Sequence, residues 1–320
     1  MDMPILSIII PAYNEELVIE ETYKRLTETL ASLGETYELI FINDGSKDKT
    51  ALIIYSLCQK DARVRLINFS RNFGHQPAIT AGMDYARGQA IVIIDADLQD
   101  PPRIILEMYA KWREGYEVVY GKRRKREGET WFKRTTAKIF YRFLRSMTSV
   151  DIPTDTGDFR LIDRKVCDAM KTLPERNRYV RGLVSWVGFK QIAVEYDREE
   201  RFAGTTNYPF KKMLRLAMDG IAAFSYKPLK LTTSVGFFVS LVSFVYLIVV
   251  LIQRIFTSTT VTGWSSIIAI VLFFQGVILM MLGLMGEYIG RIYEEIKSRP
   301  IYIVSEVIGF EKDSGTSDKI

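Results

Sequence analysis

The stretch Ala90-Ile-Val-Ile-Ile-Asp-Ala-Asp-Leu-Gln-Asp-Pro-Pro102 passes from five apolar residues to an acidic segment and then to two prolines. The apolar part is short and rich in β-branched residues, which predicts a buried strand. Pro102 stands where the first turn of a following helix tolerates proline. The acidic residues therefore fall at the carboxyl end of a strand, which is where open α/β sheets bind their ligands.

The same alternation of short β-branched runs and longer amphipathic stretches extends from Leu6 to about Tyr120. It predicts repeated βαβ units around a mostly parallel sheet, which is an α/β fold. The predicted strands are Leu6–Pro11, Glu38–Asn43, Val64–Phe69, Ala90–Asp95 and Glu117–Gly121. The predicted helices are Glu16–Leu33, Asp48–Ala62, Gln76–Ala86 and Pro102–Trp112, followed by one over Lys133–Met147.

Polar residues also follow two other predicted strands. Pro11–Glu15 comes after the first strand, and Asn43–Ser46 comes after the second. Because the carboxyl ends of parallel strands meet at one edge of a sheet, these segments are expected near the acidic one. The alternative is local: Asn14 serves only as a helix N-cap, and the residues after Asn43 form only a turn.

Asp95 and Asp97 are alternate residues at the end of an apolar strand. This spacing brings two carboxylates close to one pocket, where their like charges repel. A hard cation, Mg²⁺ or Mn²⁺, would relieve the repulsion and keep coordination positions open for diphosphate oxygens. An Asp-x-Asp pair is common by itself, and its position at a strand end gives it weight.

The composition fits one globular domain plus an apolar segment. The 320 residues are 48% hydrophobic with a net charge of +5 and a pI of about 9.0, which excludes disordered and fibrous classes. Cys58 and Cys167 are far apart, so neither a disulfide framework nor a thiolate metal site is expected. No secretory signal is expected at the N-terminus, and the soluble part should face a reducing cytosol.

Two apolar runs, Leu231–Ile252 and Ser265–Tyr288, are each long enough to cross a bilayer, which takes about 20 residues. Basic residues flank the outer ends of the pair, so the positive-inside rule predicts a transmembrane hairpin with both termini in the cytoplasm. Phe210–Phe224 mixes basic and apolar residues and predicts a helix on the membrane surface. The alternative, a buried hairpin of a soluble protein, is disfavoured by the length and the basic flanks.

Three segments together are specific: Ser7-Ile-Ile-Ile-Pro-Ala-Tyr-Asn-Glu15, Asp44-Gly-Ser46 and Ile94-Asp-Ala-Asp-Leu-Gln-Asp-Pro-Pro102. They resemble the inverting family 2 glycosyltransferases of GT-A fold, and most of all the polyprenyl-phosphate branch with dolichol-phosphate mannose synthase and the bacterial bactoprenol glucosyltransferases. The similarity runs from Leu6 to about Phe202. The resemblance implies a Rossmann-like GT-A catalytic domain followed by a C-terminal two-helix transmembrane hairpin.

The resemblance also implies roles for individual residues. Asp95 and Asp97 would bind the metal and the donor diphosphate, and Gln99 would support the metal site. Arg201 would contact the donor diphosphate as well. The nucleoside would be held by Pro11, Tyr13, Glu15 and Asp44.

Basic residues follow the fifth predicted strand, in a region where the family holds lipid phosphate. The resemblance points to Arg123, Arg134 and Lys138 for this role. The alternative for the whole run 122–126 is a solvated or headgroup-facing patch.

Asp158 stands where many family 2 enzymes place a general base, although dolichol-phosphate mannose synthases usually have no carboxylate there. A lipid phosphate with a second pKa of about 6 is already largely dianionic at cytosolic pH, so Asp158 is expected either as a base or as a group that orients the sugar. Asp97 is also assigned to catalysis. His75 is interpreted as structuring the loop before the third helix.

The expected activity is inverting transfer of a sugar, by default glucose from UDP-glucose, to undecaprenyl phosphate at the cytoplasmic face of the inner membrane. A processive polysaccharide synthase and a non-catalytic nucleotide-sugar-binding scaffold remain alternatives. Glycine-lined faces in the second run suit close helix packing, either within the hairpin or between subunits. A homo-oligomer is expected, and no nucleic-acid partner. The expected divisions are a catalytic domain over 1–205, a juxtamembrane helix over 206–230, the hairpin over 231–290 and a cytosolic tail over 291–320.

Overall fold

The computed structural model describes residues 3–124, 156–176, 178–199 and 264–310, and the helical positions 229, 232, 234–239, 241–242, 245 and 248. Several expectations lie outside the described residues: the helices Lys133–Met147 and Phe210–Phe224, and the site residues Arg134, Lys138 and Arg201. Half of the first apolar run, Leu231–Ile252, also lies outside them.

Among the described residues, eight strands form one sheet. The strands are β1 (Leu6–Ala12), β2 (Tyr37–Asn43), β3 (Val64–Phe69), β4 (Ala90–Ile93), β5 (Val118–Arg123), β6 (Thr156–Asp163), β7 (Gln191–Tyr196) and β8 (Val304–Ile308). Their order in the sheet is β7-β5-β6-β4-β1-β2-β3-β8. β1 pairs in parallel with β2 and β4, β2 pairs in parallel with β3, and β5 pairs in parallel with β7. The predicted α/β class with a mostly parallel sheet is therefore confirmed.

Helices connect the strands and cover the sheet. They are α1 (Ile19–Ala31), α2 (Thr50–Lys60), α3 (His75–Tyr85), α4 (Ile104–Arg113), α5 (Arg164–Lys171), α6 (Val180–Trp186) and α7 (Trp264–Ile296). Every residue of β1, β2 and β4 is buried, which is expected for parallel strands covered on both faces. The continuous apolar runs that identified these strands in the sequence thus form the centre of the core.

The end of β4 differs from the prediction. The strand stops at Ile93, so Asp95 lies in the following loop and not at the last strand position. Ile93 is also the last residue of β4 that pairs with β6, the antiparallel neighbour on its other side. Leu98 adopts a left-handed backbone conformation with φ of 57°, which turns the loop back towards α4.

The segment after the apolar helix was predicted only as a tail, and a strand there was not foreseen. β8 pairs antiparallel with β3 and forms the edge of the sheet. Tyr302 stacks on Phe69 with ring centroids 5.1 Å apart, and Phe310 contacts the ring of Tyr85. Residues 300–310 belong to the same compact unit as the sheet, whereas α7 belongs to a second unit.

The second apolar run forms α7, which continues to Ile296, beyond the predicted end at Tyr288. Ion pairs between side chains one turn apart, Glu287 with Arg291 and Glu294 with Lys297, support this polar extension. Within the described part of the chain, Phe273–Ile296 is the one helix long and apolar enough to cross a membrane.

Candidate active site

The loops after β1 and β2 are joined at the carboxyl edge of the sheet. Ala12 and Asn43 are paired at the ends of the two strands. Beyond them, the Asn14 backbone N–H donates to Ser46 Oγ (3.0 Å), and Asn14 Oδ1 accepts from the Lys47 N–H (2.9 Å). Asn14 has a positive φ of 55°, a conformation that asparagine tolerates better than most residues. Asn14 therefore holds two loops together and does not cap a helix.

Asp44 is buried, and its carboxylate anchors the loop before α3. Its two oxygens accept hydrogen bonds from the backbone N–H groups of Phe73 (2.7 Å) and Gly74 (2.9 Å). Burial raises the pKa of Asp44, while these two hydrogen bonds oppose the shift. Gly45 allows the close approach of this loop, because a Cβ there would lie 2.6 Å from the backbone carbon of Arg71.

The other residues predicted to bind the nucleoside occupy the same edge. Pro11 is buried at the end of β1, and Tyr13 is 43% exposed beside it. The Glu15 backbone N–H donates to Thr50 Oγ1 at 2.8 Å, which ties this loop to the start of α2. The structure thus brings Pro11, Tyr13, Glu15 and Asp44 to one side of the sheet, and their binding role stays a prediction.

Sheet register explains how the acidic loop meets the strand that carries Asp158. β4 and β6 are antiparallel, with Ile93 opposite Arg160. Asp95 comes two residues after Ile93, beyond the end of the ladder, and Asp158 lies close enough to raise the pKa of Asp95. His75, the first residue of α3, reaches both carboxylates, with Nε2 3.1 Å from Asp158 Oδ2 and 3.5 Å from Asp95 Oδ1.

Asp158 is 3% exposed and is held by a bidentate ion pair. Arg181 Nε lies 2.8 Å from Oδ1, and Arg181 Nη2 lies 3.0 Å from Oδ2. Burial alone would raise the pKa of Asp158, but the Arg181 charge and the hydrogen bonds from His75 and Arg181 hold it well below its usual range. At cytosolic pH Asp158 is therefore a fixed negative charge and a weak base.

The charge of His75 follows from its two neighbours. Burial would lower the pKa of the imidazole, but Asp95 and Asp158 together raise it to about 9. Burial, and then the carboxylates of Asp158, Asp100 and Asp97, raise the pKa of Asp95, whereas His75 opposes this shift. A further positive charge beside Asp95 would oppose this rise of its pKa and keep the carboxylate ionised.

The pair Asp95 and Asp97 can accommodate a cation. Among the described residues, Asp95 Oδ1 is a buried carboxylate oxygen that accepts no hydrogen bond. Asp97 is 7% exposed, and its Oδ1 accepts from the Gln99 backbone N–H at 3.1 Å. No described group of three or more His, Cys, Asp or Glu side chains could hold a metal ion by itself. A cation here would therefore complete its oxygen coordination with ligand oxygens and water, as Mg²⁺ commonly does.

A second charged cluster surrounds Asp100, which is completely buried. Tyr196 donates its hydroxyl to Asp100 Oδ1, and Arg123 Nη2 and Arg198 Nε lie 3.7 Å and 3.8 Å from the same oxygen. Arg123 also lies against Gly157, where a Cβ would be 2.8 Å from Nη2. Arg123, one of the predicted phosphate-binding residues, is thus held next to the strand of Asp158.

Sequence reasoning did not assign His75, Asp100, Arg181 or Tyr196 to the site. His75 and Arg181 meet Asp158 only because α3 packs against β1 and β2 and α6 packs against β6, which no local pattern reveals. The sequence shows Asp100 as the third acidic residue of its segment, but it does not show that this side chain is buried.

Comparison with known proteins matches both parts of the chain to families. Residues 7–170 match glycosyl transferase family 2, and residues 227–292 match the GtrB C-terminal hairpin. The hairpin match and the apolar character of α7 support an association with membranes.

Similar proteins align over almost the whole chain. The glycosyltransferase YkcC of Bacillus subtilis is 63% identical, covering 95% of this chain and 94% of its own. The SfII prophage-derived bactoprenol glucosyl transferase of Shigella flexneri is 42% identical, covering 94% and 97%. Among solved structures, glucosyl-3-phosphoglycerate synthase from Mycobacterium tuberculosis is 19% identical with a TM-score of 0.47, covering 68% of this chain and 78% of that one. The family match and the near-full-length relatives establish that the chain belongs to glycosyl transferase family 2.

Proposed function

We propose that the protein transfers glucose from UDP-glucose to undecaprenyl phosphate, with inversion at the anomeric carbon. The observation that carries this proposal is that His75 contacts both Asp95, in the acidic loop, and Asp158, on the neighbouring strand of a family 2 sheet. Relatives named bactoprenol glucosyl transferases, 42% identical over 94% of the chain, support the choice of sugar and acceptor.

Asp95 and Asp97 would hold Mg²⁺ or Mn²⁺, with Gln99 supporting the loop. Asp95 Oδ1 accepts no hydrogen bond, and burial and neighbouring carboxylates raise the pKa of Asp95, which fits a cation at this position. When bound, the ion supplies positive charge that neutralises the diphosphate leaving group. The loops that contain Pro11, Tyr13, Glu15 and Asp44 would hold the nucleoside, and Arg201 would contact the diphosphate.

The acceptor phosphate requires little activation. Its second pKa of about 6 leaves it largely dianionic at cytosolic pH, so no proton has to be removed before attack. A phosphate oxygen forms the new bond to the anomeric carbon as the bond from that carbon to the UDP oxygen breaks. The electron pair of the broken bond leaves with UDP, and configuration inverts.

Asp158 would contribute a fixed charge and not a proton transfer. Its low pKa makes it a poor base, and the Arg181 pair leaves it one orientation. A preorganised carboxylate can stabilise positive charge that develops on the sugar ring in the transition state. The His75 imidazolium would lie between the carboxylates of Asp95 and Asp158, and its positive charge would reduce their mutual repulsion.

The lipid phosphate would be received by Arg123, together with Arg134 and Lys138. Arg123 lies at the end of β5, and its guanidinium is 28% exposed, which leaves it access to an anion. The hairpin would span the inner membrane, with the catalytic domain and both termini cytoplasmic. A helix at 206–230 would lie on the membrane surface. It would hold the active site close to the lipid headgroups, where the insoluble acceptor is concentrated. The assembled form would be a homo-oligomer.

The test is transfer of radiolabelled sugar from a panel of UDP- and GDP-sugars to undecaprenyl phosphate by the full chain in detergent. We expect one glucose per lipid from UDP-glucose, loss of product with a chelator, and loss of product in Asp97→Ala. A product with many sugars per lipid would indicate a processive synthase. No glycolipid from any donor, with UDP still bound, would indicate a nucleotide-sugar-binding scaffold.

A further inference from the structure

β8 also binds β3 through side-chain hydrogen bonds, in addition to the backbone pairing of the two strands. The Ser70 backbone N–H donates to the carbonyl of Ile303 (3.0 Å), and Ser305 Oγ donates to the carbonyl of Asn68 (3.0 Å). Asn68 in turn donates from its side-chain Nδ2 to Glu306 Oε2 at 3.1 Å. A side chain of the C-terminal strand therefore contacts an amide on β3 that faces the carboxyl edge of the sheet.

From Asn68 a continuous chain of hydrogen bonds crosses three strands. Asn43 Nδ2 donates to Asn68 Oδ1 (3.1 Å), and Asn43 Oδ1 accepts from the Ser46 backbone N–H (3.1 Å). Ser46 Oγ then accepts from the Asn14 backbone N–H at 3.0 Å. The chain thus runs from Glu306 to the two loops that carry Tyr13, Glu15 and Asp44.

The chain has one self-consistent direction. A carboxylate only accepts hydrogen bonds, so Glu306 forces Asn68 to present Nδ2 outward and Oδ1 towards Asn43. Asn43 must then present Nδ2 to Asn68, which leaves its Oδ1 for the Ser46 N–H. If Asn68 were reversed, two amide NH₂ groups would face each other, or the Asn43 NH₂ would face the Ser46 N–H. Asn43 is 5% exposed, so such a mismatch would leave buried polar groups without partners.

We propose that Glu306 and Asn68 are positioning residues for the nucleotide donor, and that the C-terminal strand is part of the donor site. The inference rests on the proposed function for the identity of the donor. Glu306 sets the orientation of Asn68, Asn68 sets Asn43, and Asn43 shapes the turn at Ser46 that Asn14 joins. β8 is the next element of the polypeptide after α7, which ends at Ile296, eight positions before β8 begins at Val304.

The experiment replaces Glu306, the hydrogen-bond acceptor at which the hydrogen-bond chain begins, with a side chain that donates. In Glu306→Lys the new side chain can only donate, so Asn68 has to reverse and the chain is broken. In Glu306→Gln an accepting oxygen remains, so the chain is kept. The double variant Glu306→Lys with Asn68→Asp restores an acceptor between two donors, the new ammonium and Asn43 Nδ2.

UDP affinity is measured by calorimetry on the full chain in detergent with Mn²⁺, and KM values are measured separately for UDP-glucose and undecaprenyl phosphate. We expect Glu306→Lys to weaken UDP binding about three- to tenfold, the effect of one or two lost hydrogen bonds. Glu306→Gln should stay within about twofold, the double variant should recover most of the affinity, and the acceptor KM should not change.

Tyr302→Phe is the matched control on the same segment. It removes the hydrogen bond to Asp84 Oδ2 (2.8 Å) and leaves the amide chain intact, so UDP affinity should not change. The inference is overturned if Glu306→Lys binds UDP as the parent does, or if Tyr302→Phe weakens UDP binding equally. Absence of glucose transfer by the parent chain would count against the proposed function only, because UDP affinity is read without turnover.

Discussion

Arg181 binds both carboxylate oxygens of Asp158, with Nε 2.8 Å from Oδ1 and Nη2 3.0 Å from Oδ2. This fork geometry matches a carboxylate better than a lysine ammonium could. The pair lies between the strand that carries Asp158 and the short helix that carries Arg181. It converts a buried acid, which would ordinarily gain a proton, into a permanent anion beside the acidic loop.

The permanent charge of Asp158 leads to a prediction about pH. We expect Asp158→Asn to lower the transfer rate by about a hundredfold, because a preorganised charge is lost. Since the pKa of Asp158 is depressed, the carboxylate is ionised throughout the range from about pH 6 to pH 8. The ratio of the parent rate to the variant rate should therefore be constant across this range.

Titration of the acceptor phosphate affects both enzymes equally and cancels in the ratio. The ratio is measured as kcat/KM for undecaprenyl phosphate in buffers of matched ionic strength. A ratio that decreases towards pH 6 would mean that Asp158 titrates there as a general base. The stability contribution follows the same sign: it is complete above the unfolded pKa of about 3.9 and is lost only as pH falls through the folded value.

The local parts of the site could be predicted from the sequence. Strand ends follow from short-range patterns, so the edge that carries Asp44 and Asp95 was placed correctly. The proximity of Asp95 and Asp158, which His75 bridges, was not foreseen, because it depends on an antiparallel strand that begins at Thr156, far along the chain. The partners His75 and Arg181 come from α3, which packs against β1 and β2, and from α6, which packs against β6, and neither contact leaves a periodic signal.

β8 shows the same limit from the other end of the chain. Val304–Ile308 is a five-residue segment that follows an apolar helix, and it has no hairpin partner nearby in sequence. It becomes a strand because the edge of β3 offers unpaired backbone groups, which is a property of the folded sheet. Single-sequence patterns do not contain that information.

Metal binding by the acidic loop predicts a thermal shift that does not depend on turnover. Mn²⁺ and UDP together should raise the Tm of the parent, since ligands that bind only the folded state stabilise it by about 2.7 kcal/mol at a hundred times Kd. Asp97→Asn should abolish the shift and lower transfer by at least about a hundredfold. Asp168→Asn, which changes a carboxylate with 56% exposure on α5, is the control and should retain the full shift.

The contact between Gly157 and Arg123 predicts a specific effect on the acceptor. A Cβ at Gly157 would lie 2.8 Å from Arg123 Nη2, the end of a flexible side chain. Gly157→Ala should therefore displace the guanidinium without unfolding the strand, and raise the KM for undecaprenyl phosphate about tenfold, the effect of one charged hydrogen bond. In an Arg123→Ala background the same change should have no further effect on this KM, because nothing is left to displace. Additive effects would show that Gly157 acts through the neighbouring Asp158.

Gly45 and Gly34 share a φ of 67° but differ in their surroundings, which separates backbone strain from steric contact. A Cβ at Gly45 would lie 2.6 Å from backbone atoms of Arg71 and Asn72, whereas a Cβ at Gly34 would have no atom within 4 Å. Gly34→Ala should therefore cost only the left-handed strain, about 1–2 kcal/mol of unfolding free energy. Gly45→Ala should cost about 1–3 kcal/mol more, because rigid backbone has to move, and it should also weaken UDP binding by pushing the loop away from Asp44. Urea unfolding of both variants measures the difference. Equal losses of stability would mean that the backbone at Arg71 and Asn72 moves away from the new Cβ at little cost. The position of that loop would then not depend on close contact with Gly45.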